Sequence, residues 1–317
     1  MPYQLQDILQ RTRQDPKGFL AECDAVYHQR VSAAADRIQE RLAEGGSGIV
    51  LLSGPSGSGK TTTALKLEEE LIRRGVGTHA ISLDDYFKTP DRATAPRTPE
   101  GDIDYESPLL LDMVLLDETF TRLAQGEEVI IPKFEFARQM RNDARGRPLR
   151  LGKQEIAIFE GIHALNDDIA GRHPEATRLY ISARSDILDG AQLRFKGTWT
   201  RITRRAVRDY NFRGTDMAAT LEMWHNVRRG EKRFISPFKN RAHILLDSSL
   251  PYEAPVFAHY TAPLAGALSG VSERNPRWRE LHDLVDAFGW FDPIDPALVP
   301  PGALIREFIG GGTYQYK

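Results

Sequence analysis

The chain has 317 residues, with 42 lysines and arginines against 44 acidic residues and a formal net charge of -2. No global positive field exists to hold nucleic acid or an anionic membrane, so a basic site has to be local. Hydrophobic residues make up 41% and charged residues 27%, with 26 glycines, which excludes collagen-like, solenoid and largely disordered classes and leaves one enlarged α/β domain or about two domains.

Met1 to Pro16 is polar with isolated leucines and lacks the continuous apolar core of a signal peptide. The apolar runs are of strand length, far from the ~20 residues of a membrane span. The single cysteine, Cys23, cannot form an internal disulfide, which fits a reducing, cytoplasmic compartment. Apolar residues at three and four residue spacings predict helices over Tyr3–Arg13 and Phe19–Glu44, broken near Asp15-Pro16. Gly45-Gly46-Ser47-Gly48 ends the second, and Ile49-Val50-Leu51-Leu52 is continuously apolar, as a parallel strand buried on both faces requires. A helix over Thr61–Arg74 and a strand over His79–Leu83 complete a βαβ alternation.

Thr89–Pro108 holds four prolines and several acids and reads as an ordered or substrate-gated loop. A helix over Leu109–Gln125 leads to Val129-Ile130-Ile131. Strands follow over Glu155–Phe159, Arg178–Ser182 and Ala242–Leu246, with a helix over Trp278–Phe288 and a turn at Pro300-Pro301. The expected fold is α/β: a parallel sheet of the P-loop NTPase type flanked by helices, with an arginine-rich lid and helical additions at both ends. The expected divisions are an N-terminal helical extension over 1–46, a main α/β domain over 47–260 with the lid near 194–232, and a C-terminal extension over 261–317.

Gly54-Pro55-Ser56-Gly57-Ser58-Gly59-Lys60-Thr61 satisfies G-x-x-x-x-G-K-[ST] between a predicted buried strand and a predicted helix. The glycines let successive N–H groups turn inward toward phosphate oxygens, and the helix adds its positive end. Gly54, Ser56, Gly57, Ser58, Gly59, Lys60, Thr61 and Thr62 are the candidate nucleotide contacts, with Lys60 on the terminal phosphates and the Thr61 hydroxyl on Mg²⁺. Glu160, directly after a buried strand, is a second magnesium anchor, or a carboxylate that merely caps the following turn. His163 reads as a satisfied structural histidine.

Asp84 follows the second strand at the carboxyl edge where ligands of open α/β sheets bind. A carboxylate there can take a proton from an attacking alcohol. Asp85 is adjacent and equally acidic, and the sequence leaves open which of the two faces inward.

Between Arg194 and Arg213 stand seven basic residues and one acid, Asp209. Arg201, Arg204, Arg205 and Arg208 fall at i, i+3, i+4 and i+7 on one helical face. Such a face can close over a triphosphate and stabilise the migrating phosphoryl group, a role assigned to Arg204 and Arg208. A different use of the same face is to grip RNA or regulate a partner, with ATP as a switch, although the stripe has little aromatic interleaving for RNA.

These segments resemble the uridine kinase and phosphoribulokinase family of P-loop small-molecule kinases. Ser53–Thr63 resembles its nucleotide loop, Ser82-Leu83-Asp84-Asp85-Tyr86-Phe87 its acceptor-base segment, and Ile103-Asp104-Tyr105-Glu106-Ser107-Pro108 with Asp112 its acidic substrate loop. Pro132-Lys133-Phe134-Glu135-Phe136 resembles its base-contacting segment, Phe159-Glu160-Gly161-Ile162 its magnesium strand end, and Arg201–Asp209 its lid helix. The likeness is closest to a bacterial branch of uridine or nucleoside kinases often joined to a TGS domain, and Leu304–Gly312 is similar to that branch's tail. The resemblance implies ATP and Mg²⁺, Asp84 as general base, Asp104 on ribose hydroxyls, and Phe87, Phe134, Gln139 and Arg208 on the acceptor side. Phe134 and Gln139 stand where well-studied members carry a tyrosine and a histidine, so part of the base-reading chemistry differs here. Phe134 and Phe136 read equally as pocket-wall aromatics. The implied activity is transfer of the γ-phosphoryl group to the 5′-hydroxyl of uridine or cytidine, or to another sugar-like or vitamin-like alcohol. The expected partner is a small-molecule acceptor, with a homo-oligomer left open and neither nucleic acid nor membrane expected.

Overall fold

The computed structural model describes residues 2–91, 93–135 and 138–316. Its centre is a five-stranded sheet built from β1 (Ile49–Ser53), β2 (Thr78–Ser82), β3 (Ile156–Glu160), β4 (Thr177–Ser182) and β5 (Ile244–Asp247). The strands lie in the order β5-β4-β1-β3-β2, all pairs parallel. Parallel neighbours require crossover connections, which cover both faces of the sheet with helices. The continuously apolar strands follow from this: Val50, Leu52, Ile158 and Leu179 enter one hydrophobic core, while Ile49, Leu51, Ala157 and Phe159 enter the other.

The first core takes α1 (Leu5–Gln14), α2 (Pro16–Ala43) and α3 (Lys60–Arg73). Asp15 caps α2 by accepting from the Gly18 N–H at 2.9 Å, with Pro16 in the first turn, so the predicted break is a capped junction. Leu5, Phe19 and Val31 share one cluster with Val50 of the sheet and with Leu284 and Phe308 near the other end of the chain. The three sequence divisions are thus joined by one continuous apolar core. None of the helices among the described residues is long and apolar enough to cross a membrane.

The second face carries α4 (Met113–Ala124). It starts four residues later than predicted, because Pro108–Leu110 forms a short 3₁₀ turn and the Asp112 carboxylate caps the helix at the Leu115 N–H, 3.2 Å away. Val129–Ile131 pairs antiparallel with Arg147–Leu149, outside the main sheet. Tyr3–Gln4, Ile187–Asp189 and Gln192–Phe195 form a separate three-stranded sheet, so the first two residues of the predicted N-terminal helix are strand instead. The arginine-rich stretch is α5 (Gly197–Phe212), followed by α6 (Met217–Phe234), and the predicted C-terminal helix is α7 (Trp278–Ala287).

Glu70 of α3 ties the N-terminal helices to the sheet layer. It is 3% exposed and accepts hydrogen bonds from Arg73, Arg74 and Ser32. The Arg73 hydrogen bond, with that of Arg74, holds its carboxyl down at about 2, against the cost of burial. A carboxyl lowered by folding contributes stability in full above roughly pH 5 and loses it as the pH falls toward its folded value. Glu70→Gln is therefore expected to lower stability at neutral pH by about 1–3 kcal/mol. The same substitution should flatten the acid side of the stability curve, as urea unfolding at several pH values would show; parallel curves for both proteins would contradict this.

Candidate active site

Parallel register brings three strand ends to one edge. Glu160 at the end of β3 lies opposite Leu52 of β1 on one side and Ser82 of β2 on the other. The loop after β1, Asp84 after β2 and Glu160 itself therefore meet at the carboxyl edge, where ligands of open α/β sheets sit.

The loop is curled as its sequence requires. Gly57 has φ +72°, and a Cβ there would lie 2.5 Å from the Arg201 carbonyl oxygen, so a side chain is excluded on two grounds. Its carbonyls are held from outside by α5. Arg201 donates to the Ser56 oxygen at 3.1 Å and Arg204 to the Gly57 oxygen at 3.0 Å, while Arg205 donates to Ser56 Oγ at 2.9 Å. Among the described residues, the N–H groups of Gly57, Gly59, Lys60 and Thr61 meet no protein acceptor. This is a nest of donors at the positive end of a 14-residue helix. Among the described residues the Ser58 hydroxyl is buried without a partner, and Lys60 Nζ donates to the Pro55 carbonyl at 3.2 Å.

The charges around Lys60 are mainly negative. Burial lowers the Lys60 pKa, and Glu160, Asp84 and Glu307 oppose that shift. Glu160 is pushed up to about 7 by burial, with Lys60 pulling the other way. Thr61 Oγ1 donates to Glu160 Oε1 at 3.3 Å. A hydroxyl and a carboxylate side by side match the oxygen preference of Mg²⁺, which is usually held by one or two protein groups together with substrate phosphates.

Asp84 and Asp85 separate as strand-end neighbours do. Asp85 is buried and accepts from Lys133 Nζ at 2.8 Å and from the Phe134 N–H at 3.3 Å, so it anchors the segment after β2. Asp84 is half-buried, and among the described residues no ion pair holds its carboxylate. Burial raises its pKa, and Lys60 leads the groups that lower it, followed by Arg213 and, more weakly, Arg208. Asp84 is therefore within electrostatic reach of the loop lysine, while the Asp85 carboxylate is engaged by Lys133 and the Phe134 main chain.

The acidic loop is latched to the α5–α6 pair. Asp104 is 6% exposed and lies 3.6 Å from Arg229 of α6, and Glu106 lies 3.8 Å from Arg205. Gly230 makes this approach possible, because a Cβ there would come within 2.3 Å of the Glu106 side chain. Burial raises Glu106 to about 7, with Arg205 opposing. Phe87 and Phe134 meet edge to face at 5.7 Å, with Phe134 buried. Gln139 is exposed in a turn at φ 51° and forms no hydrogen bond among the described residues. Phe136 lies outside the described residues. His163 is buried as a structural histidine would be, and burial lowers it to about 4, with the Glu106 main chain opposing that shift.

The four-arginine face requires a correction. Arg204 is fully buried, paired with Glu253 at 2.8 Å and bonded to the Ser248 oxygen at 2.8 Å. Arg201 is equally buried against Glu231 at 2.5 Å. Both guanidinium groups support the loop from behind: the terminal nitrogens of Arg201 and all three nitrogens of Arg204 are engaged by carboxylates and main-chain oxygens. A lid opening as a unit does not fit a helix anchored in this way. Arg208, 2.7 Å from Asp209, and Arg205 are the lid arginines left partly exposed. The acids opposite, Glu231 and Glu253, carry no motif and could be found only from the fold; Glu106 sat unassigned within the acidic loop.

The sequence profile of the Phosphoribulokinase / Uridine kinase family matches residues 49–252. The chain belongs to that family. It is 27% identical over 199 residues to the uridine kinase of Macrococcus caseolyticus, covering 62% of this chain and 86% of that one. The uridine kinase of Staphylococcus aureus is 28% identical over the same lengths. A solved structure from a Silicibacter species, named for a fructose transport system kinase, aligns with TM-score 0.50 at 21% identity over 68% of this chain and 98% of the other, a likeness of fold. The chain is a P-loop kinase of this family, and the donor nest, Lys60 and Asp84 all lie within the matched region.

Proposed function

We propose that this kinase transfers the γ-phosphoryl group of ATP to the 5′-hydroxyl of a pyrimidine ribonucleoside, uridine or cytidine. The observation that carries the chemistry is the opposition of Asp84 to Lys60 beside an open nest of N–H donors. In the proposed step the acceptor oxygen attacks the γ-phosphorus, the bond to the bridging oxygen of ADP breaks, and the hydroxyl proton passes to an Asp84 carboxylate oxygen. Lys60 and the nest N–H groups hold the phosphate oxygens, and Arg208 stands nearest in role to a charge-stabilising arginine. Thr61 and Glu160 would hold Mg²⁺, which supplies charge neutralisation on the phosphates when bound.

The nucleoside assignment is supported by the uridine kinase relatives and by Asp104, a buried carboxylate beside the site able to accept two hydroxyl bonds from a ribose diol. A second acceptor class, another sugar-like or vitamin-like alcohol, is favoured by one feature: the pair Phe87–Phe134 offers aromatic surface without hydrogen-bond donors, and Gln139 is turned to solvent. The RNA-gripping alternative loses support, since Arg201 and Arg204 are spent on internal ion pairs. Incubation with ATP, Mg²⁺ and a panel of nucleosides and sugars, with products identified by mass, tests the assignment. A nucleoside monophosphate is the expected product, and phosphorylation of sugars alone would replace the nucleoside by the second class.

A further inference from the structure

The end of the chain reaches the phosphate nest from outside the matched region. Leu304 and Phe308 are fully buried. Leu304 is seated on Gly59, where a Cβ would lie 2.9 Å from its methyl carbon, and the Phe308 ring lies 5.2 Å from the Arg204 guanidinium. Between these anchors Glu307, 7% exposed, points into the first turn of α3. Its Oε2 accepts from the Thr62 N–H at 3.2 Å and from Thr62 Oγ1 at 2.5 Å. Two tyrosines lay the remaining tail along the same helix: Tyr316 Oη lies 3.2 Å from Thr62 Oγ1, and Tyr314 donates to Glu69 at 2.6 Å.

Thr62 is thereby set apart from its neighbours. The N–H groups of Gly57, Gly59, Lys60 and Thr61 are open, whereas that of Thr62 already holds an anion. A carboxylate at the N-terminus of a helix uses the same donors and the same dipole as a phosphate oxygen. Its charge also acts on Lys60. A second anion brought to the same pair of donors meets the first at close range in a poorly solvated site, where like charges repel strongly.

We propose that Glu307 is an internal competitor for the nucleotide phosphates, and that ATP takes possession of Thr62 only by displacing this carboxylate. The proposal rests on the ATP-binding reading above. Leu304 and Phe308 stay in the core while the Glu307 side chain swings out, so the device is a side-chain gate on a fixed segment. Linkage makes it reciprocal: nucleotide binding weakens the Glu307–Thr62 contact to the same extent that this contact weakens nucleotide binding.

Calorimetric titration of the full chain with a non-hydrolysable ATP analogue and Mg²⁺ tests it, comparing the parent protein with Glu307→Gln, Glu307→Asp and Lys60→Ala. Glu307→Gln keeps the shape and removes the charge, and it is expected to tighten analogue binding by about tenfold or more, the scale of one hydrogen bond to a charged group. Adenosine, which carries no phosphate, should bind equally to both. Glu307→Asp keeps the charge on a shorter side chain that reaches Thr62 poorly, and it too is expected to bind the analogue more tightly; this variant decides the matter if the glutamine variant melts early. Equal or weaker analogue binding by the folded variants would overturn the proposal and make Glu307 a support of the nest. The nucleotide reading fails separately if the parent protein and Lys60→Ala bind the analogue equally poorly, and the competitor role then falls with it.

Discussion

Asp84→Asn is expected to lower turnover with the true acceptor by about 10²-fold or more, the usual scale for loss of a positioned general base. Affinity for the ATP analogue should persist, because the nest and Lys60 are untouched. The expectation comes from placement: Asp84 is the half-buried strand-end carboxylate that feels the charge of Lys60, whereas Asp85 is bound to Lys133 and to the Phe134 main chain. Asp85→Asn should behave differently, losing stability through its buried anchor with a smaller effect on turnover per folded molecule. Steady-state kinetics on both variants, corrected for folded fraction by thermal melts, separates the two roles. Unchanged turnover in the Asp84 variant would remove it from proton transfer.

Arg204→Ala is expected to destabilise the protein by about 3–5 kcal/mol, because it strands a buried carboxylate that has lost its partner. Glu253 is 1% exposed and is already pushed up to about 7 by burial, with Arg204 as the main group opposing that shift. The substitution also frees the Gly57 carbonyl, so whatever protein remains folded should bind ATP more weakly. Chemical denaturation measures the first effect directly. A variant as stable as the parent but with reduced turnover would instead restore Arg204 to the phosphoryl group.

These two cases show where the sequence is informative and where it is not. Local rules suffice for the nest: glycines at turning positions, a lysine and a threonine opening a helix, and a strand apolar on both faces all act within a dozen residues. The same holds for the α1–α2 junction, where Asp15-Pro16 announces a cap. Helical spacing correctly places Arg201, Arg204, Arg205 and Arg208 together on α5, but it does not say what the face meets. That depends on Glu231 of α6 and on Glu253 after β5, 30 and 49 residues away from their arginines. The approach of Glu307 to Thr62 spans 245 residues and has no signature at either end. Asp84 and Asp85 were inseparable in sequence because the partner that distinguishes them, Lys133, arrives from a separate hairpin segment.

Phosphorus NMR of the protein incubated with ATP, Mg²⁺ and uridine bears most directly on the pairing of a phosphate nest with an acceptor carboxylate. A phosphomonoester resonance should grow in step with ADP, and it should fail to grow when Asp84 is replaced by asparagine. ADP accompanied only by inorganic phosphate, at the same rate with every nucleoside or sugar alcohol and with either residue at position 84, would contradict it.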